Sequence, residues 1–245
     1  MPFTFHTHSG QQQVGKGMHT IGLTEHIPRC RPQDPTLRQP FPHTSQKPKR
    51  LQTKYQDRIK IVIGCETEYI TQLDMDRAKQ VQEEFGLDYI VGSMYEQIVA
   101  KYNGDRTAVF RRYFELQYQM LQALQPTVVG HFDLVRIFHP RDQPDPLLAD
   151  EAVRRLAVRN IEYIVSYGGV VERDLLREIL ARRGRITLSD DSHGGSDVAM
   201  HYDRLYAYLM EMQVQDVHCV GTGGRIEVFA GAMQDGFWAK NGFCE

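Results

Sequence analysis

The chain has 245 residues, 41% of them hydrophobic, which is enough to bury a barrel-sized core and fits one domain or two small ones. Lysine plus arginine (29) nearly balances aspartate plus glutamate (31), so no net field favours nucleic acid or an anionic membrane as the main partner. The four cysteines, Cys30, Cys65, Cys219 and Cys244, lack C-x-x-C spacing, which argues against a zinc knuckle or a disulfide framework.

In chain order, "FTFHTHSGQ" reads as the start of a strand carrying His6 and His8, followed at once by turn-forming residues. Strands are expected in 20–26, 58–69, 88–93, 126–133 and 185–193, each a short β-branched run that ends in polar residues. Helical spacing marks 74–86, 107–124, 147–165 and 172–184, the last closing on Gly184 as a C-cap. The proline-rich segment 28–50 reads as a loop or irregular insertion. Alternating strand and helix over this length argues for an α/β fold with a largely parallel sheet and the size of a closed barrel; an open doubly wound sheet is the rival. No leader sequence and no apolar run of membrane-spanning length are read, so a soluble cytoplasmic protein is expected.

In parallel α/β folds ligand chemistry gathers at the C-terminal ends of the strands. Here those ends share one chemical type: His6 and His8, His26, Glu66 and Glu68, His131 and Asp133, then Asp190, Asp191 and His193. Imidazole and carboxylate groups from separate strands suit divalent metals. Residues i and i+2 of a strand point the same way, so His6 and His8 can reach one ion, and the same alternation is expected for Asp191 and His193. One H-x-H alone is more often a pair of solvated loop histidines; five strand ends of this kind tip the balance to metal. Glu25, Glu68 and Asp133 read as supports around the ligands or as strand-end solubilisers, and Asp190 as orienting its neighbour. His19, His43, His139, His201 and His218 read as surface or core histidines. "GTGG" at 221–224 and "GKG" at 15–17 do not meet the requirements of a dinucleotide site or a P-loop, and "RRGR" at 182–185 suits a helix end.

The stretches "HTHSGQ", "GLTEHIPR", "GCETEYI", "DYIVGS", "VGHFDLVRIF" and "ITLSDDSHG", in this order, resemble the histidinol-phosphatase branch of the PHP (polymerase and histidinol phosphatase) superfamily, fungal in style. The resemblance implies a distorted (β/α)7 barrel of the PHP type, forming one metal-dependent phosphatase domain over residues 1–245. It also implies two or three divalent ions (Zn, Mn or Fe) and hydrolysis of L-histidinol phosphate in histidine biosynthesis. Carried over position by position, the metal ligands are His6, His8, His26, Glu66, His131, Asp191 and His193, with His131, Asp191 and His193 also catalytic. Arg136, three residues after Asp133, is expected to meet the phosphate, since a guanidinium fork matches phosphate oxygens. The partner implied is a small-molecule phosphate ester, with no nucleic acid and no membrane.

The sequence departs from the family pattern after His8, after Cys30 and after Ser93. Only eleven residues separate His8 from Thr20, too few for the usual crossover helix, so the first outer helix is expected to be missing. Its loss is expected to uncover apolar strand surface, at roughly 25 cal/mol for each Å². Two other readings therefore stand beside the phosphatase: a catalytically impaired barrel that only binds metal or a phosphate ligand, and another phosphoesterase of the same type.

Overall fold

The computed structural model describes residues 3–7, 17–27, 46–68, 72–93, 102, 104–140, 142–172, 175–193 and 197–244. Seven strands make one sheet: β1 (Phe3–Thr7), β2 (Thr20–His26), β3 (Lys60–Glu68), β4 (Tyr89–Ser93), β5 (Val128–Val129), β6 (Val170–Glu172) and β7 (Arg185–Thr187). Every neighbour is parallel, and the strands pair in chain order from β1 to β7. A doubly wound sheet would reverse its order part-way, so this one-directional winding belongs to the barrel-type α/β arrangement. Among the described residues no ladder joins β7 to β1. Instead β8 (Val217–Val220) packs on β7 and also touches β1.

The long helices form because their apolar residues recur at helical spacing and their ends are capped. Helix α1 (Gln46–Tyr55) packs on β3, and α2 (Gln72–Phe85) on β3 and β4. Helix α3 (Arg106–Leu124) is capped by Asp105, which accepts from the Ala108 amide, and buries Phe110, Phe114, Met120 and Leu121. Segment 147–165, read as one helix, is two: α4 (Pro146–Ala149) and α5 (Glu151–Tyr167). Asp150 lies between them in an extended conformation and caps α5 through the Val153 amide. Within 28–50, residues from Gln46 onward are helical, because Leu51 buries its side chain and Pro48 falls in the first turn, where its missing N–H costs nothing.

The expected helix over 172–184 is corrected. Residues Val170–Glu172 form β6 and the helix, α6 (Leu176–Ala181), starts later, since two valines buried against β5 and β7 outweigh local helix propensity. Gly184 is not the cap: Arg183 takes the left-handed conformation, and a Cβ on Gly184 would come 2.6 Å from Ile179 Cγ2, so the glycine serves a close approach. Residues 8–16 lie outside the described residues, and among those described no helix separates β1 from β2. The uncovered surface expected there is not found on β2: its outward residues Ile21 and Leu23 are buried.

Beyond the sheet come α7 (Tyr202–Glu211), the antiparallel hairpin of β8 and β9 (Ile226–Phe229), and α8 (Gly236–Lys240). "GTGG" is the turn of that hairpin. Gly223 and Gly224 take positive φ, and the Gly223 amide donates to Asp88 Oδ1 at 2.7 Å while Asp88 Oδ2 accepts from the Ile63 amide. No helix among the described residues is long and apolar enough to cross a membrane.

Candidate active site

Register sets the first half of the site. The β2–β3 ladder pairs His26 with Glu66, so their side chains leave the sheet on the same face. His26 Nδ1 lies 3.2 Å from Glu66 Oε2. Ser93, at the end of β4, donates from Oγ to Glu66 Oε1 at 3.1 Å. Glu66 itself is 3% exposed, in the wall of a cavity of about 360 Å³ shared with His26, Glu68, Asp74 and Arg77. One layer further in, the same face carries Thr24, Gly64 and Tyr89, with Thr24 Oγ1 and Tyr89 Oη 2.8 Å apart. Next to Glu66, burial and the neighbouring carboxylate push the Cys65 thiol up to about 12, so it stays protonated and inert.

The second half sits on the loops after β5 and β7. Strand β5 stops at Val129 because His131 takes a left-handed backbone (φ 48°), which histidine tolerates only at some cost. Two α3 side chains hold that turn: Tyr113 Oη donates to the His131 carbonyl at 2.9 Å, and Gln117 Nε2 to the Phe132 carbonyl at 2.9 Å. Asn160 of α5 donates to Gln117 Oε1, completing a buried relay. The result aims His131 Nε2 at two carboxylates, Glu66 Oε1 at 3.9 Å and Asp191 Oδ2 at 3.7 Å.

The alternation expected for Asp191 and His193 is corrected. Strand β7 ends at Thr187 and Asp191 is left-handed (φ 46°), so the two are not same-face residues of a strand. The loop turns back on itself instead, putting His193 Nδ1 2.9 Å from the Asp191 carbonyl and leaving its ring exposed. The Asp190 carboxylate pins the same loop, accepting from the amides of Ser192 and Ala199.

Four of the expected ligands approach one another in pairs: His26 with Glu66, and His131 with Glu66 and with Asp191. His193 stands at the rim, while the side chain of His6 and all of His8 lie outside the described residues. The donor chemistry suits a divalent transition metal, and the separations of 3.7 and 3.9 Å are close to the roughly 3.4 Å between two ligands of one tetrahedral ion. Among the described residues, however, the donors meet in pairs, and no group of three closes around one point.

Arg136 and His131 both line a cleft of about 610 Å³. Its Nη1 donates to Asp133 Oδ2, and its Nε and Nη2 reach Asp145 Oδ2, all at 2.8 Å. Burial alone would lower its pKa, but the bonds and charge of Asp133 and Asp145 outweigh that and raise it, so the guanidinium stays charged. Ser93, Tyr113 and Asp145 were not singled out in the sequence. Ser93 does close the strand "DYIVGS" at the same sheet end as Glu66, and that position was the available signal.

The PHP domain family model matches residues 10–174, two thirds of the sequence. The chain belongs to the PHP family. Members of this PHP family are phosphoesterases and are generally metal-dependent. The matched span contains His26, Glu66, His131 and Arg136. A protein of Schizosaccharomyces pombe assigned as a histidinol-phosphatase is 30% identical, with 98% of this chain and 97% of the relative covered. The histidinol-phosphatase of Saccharomyces cerevisiae is 26% identical, covering 85% and 84%. In structure, this PHP chain is similar to hisK of Listeria monocytogenes, a protein assigned as a histidinol phosphatase, with a TM-score of 0.65 at 15% identity, covering 82% of this chain and 99% of that one. The alignment with the S. pombe protein runs over 296 residues, 51 more than the 245 present here, so that relative holds segments this chain does not.

Proposed function

We propose that this chain is a histidinol-phosphatase, a cytoplasmic metal-dependent phosphoric monoester hydrolase that converts L-histidinol phosphate and water to L-histidinol and phosphate in histidine biosynthesis. The similarity to fungal histidinol-phosphatases over nearly the whole length of both chains carries the reading. The proposed ligands of two or three Zn, Mn or Fe ions are His6, His8, His26, Glu66, His131, Asp191 and His193. Bound divalent ions would supply Lewis acidity toward the phosphoryl oxygens and a water activated near neutral pH. The chain's own part is to orient: Ser93 and His26 fix the Glu66 carboxylate, and the turn held by Tyr113 and Gln117 fixes His131. In this reading His131, Asp191 and His193 face the reacting phosphate, and Arg136 meets it with the N–H groups that its two carboxylates leave available. No protein nucleophile is required.

A second reading, a catalytically impaired barrel, is favoured by the segments present in the S. pombe relative and absent here. The deciding experiment is metal content by elemental mass spectrometry after gel filtration, with phosphate release from L-histidinol phosphate on the same sample. Roughly two or three ions per chain together with release support the phosphatase. A folded chain that releases no phosphate, with or without metal, supports the impaired barrel. Within the first reading, Arg136→Ala raises KM about tenfold with a smaller change in kcat. If neither parameter moves, Arg136 does not touch the phosphate.

A further inference from the structure

The cleft beside His131 contains a carboxylate oxygen that the metal site does not use. Of the four oxygens on Asp133 and Asp145, three are engaged: Asp133 Oδ2 and Asp145 Oδ2 by Arg136, and Asp145 Oδ1 by the Leu147 amide at 2.9 Å. Asp133 Oδ1 has no hydrogen-bond partner among the described residues. Asp133 stands at the N-cap of the 3-10 turn Leu134–Phe138, yet its side chain makes no cap bond. That side chain is only 13% exposed, and a carboxylate so far withdrawn from water gains much from a cationic partner. Arg136 satisfies only Asp133 Oδ2, and Arg204, which lines an adjoining hollow with Asp133, Arg136 and His201, makes no ion pair with Asp133 among the described residues.

A carboxylate oxygen beside a guanidinium with spare donors is the complement of a ligand that carries an ammonium beside a phosphate. We propose that Asp133 is a specificity-determining residue that receives the ammonium of a phosphomonoester bearing its amine on the carbon next to the phosphorylated one, with Asp145 and Arg136 positioning the carboxylate. The assignment rests on the phosphatase reading, since L-histidinol phosphate has that arrangement. The same cleft presents Ile137 and Leu148, 69% and 73% exposed, as an apolar wall on which a flat ring can lie.

The test is calorimetric binding of two alcohols that cannot be turned over, L-histidinol and its des-amino analogue 3-(imidazol-4-yl)propan-1-ol, to the metal-loaded full chain with inorganic phosphate present. The wild type is expected to prefer L-histidinol about tenfold or more. Asp133→Asn reduces the preference to within about twofold, and Asp133→Glu, which restores the charge, recovers part of it. A loss of fold would weaken both alcohols equally, so the ratio separates recognition from stability. An unchanged ratio in Asp133→Asn, or no preference in the wild type, overturns the assignment. Phosphate release is read separately. Release without amine preference removes only this inference, amine preference without release removes only the phosphatase reading, and neither removes both.

Discussion

Replacing Glu66 with glutamine lowers phosphate release at least about 100-fold and strips metal from the site, while the metal-free protein melts within a few degrees of the wild type. Substituting a mere neighbour of a metal ligand costs about 10–100-fold in metal affinity or activity, so loss of Glu66, a proposed ligand, should cost no less. Ser93→Ala, which removes the Oγ donor to Glu66 Oε1, belongs in that milder range. The fold is expected to survive because glutamine has nearly the same volume and keeps an acceptor for Ser93, while a buried charge is costly to hold in a metal-free site. Three readings separate the possible causes. Metal raises the melting temperature of the wild type, because it binds the native state and not the unfolded one, and Glu66→Gln abolishes that rise. Metal content falls with activity. If activity survives with metal content unchanged, Glu66 is not a ligand.

The strands nearest the site were legible in the sequence because burial dictates them. Residues 20–26 and 88–93 match β2 and β4 almost to the residue, since β4 buries every position and β2 all but its last two. The strand-end rule picks out His26 and Glu66 separately, and the ladder register pairs them. Two site features were hidden because backbone conformation decides them. The run 126–133 yields only Val128–Val129 as strand, and 185–193 only Arg185–Thr187, because His131 and Asp191 turn left-handed just where the chemistry lies. Left-handed histidine and aspartate have no strong local sequence signal, and only the surrounding packing, here Tyr113 and Gln117, holds them there.

Long-range polar pairing was equally hidden. Position and guanidinium chemistry mark Arg136 as a phosphate contact, but nothing in the sequence says that Asp145, nine residues on, folds back to grip two of its nitrogens. The three-residue strand β6 escaped because "VVE" is too short to show a period, while the stronger helical pattern that follows drew the boundary toward it. What fixes β6 is pairing to β5 and β7, which is invisible to a local window.

Gly64→Ala is expected to destabilise the protein by about 3 kcal/mol, and with it the site. On β3, Gly64 pairs with Thr24 on one side and Tyr89 on the other, two residues before the level of His26 and Glu66. The missing side chain leaves room for the ring of Tyr89, which is wholly buried and whose hydroxyl meets Thr24 Oγ1 at 2.8 Å across β3. A Cβ at position 64 would sit 2.5–2.7 Å from three ring atoms. The ring has no solvent to escape into, so either the three strands spread or the Thr24–Tyr89 bond breaks. For a chain of this length the melting temperature should fall by roughly 6–12 °C. Spreading β2 from β3 also separates His26 from Glu66, so affinity at the proposed metal site falls with stability. The cause can be isolated by pairing Gly64→Ala with Tyr89→Val, which removes the ring. If the clash is the source of the loss, the double variant is more stable than the sum of the two single losses by about 1 kcal/mol or more, and simple additivity would show that the ring is not what Gly64 accommodates.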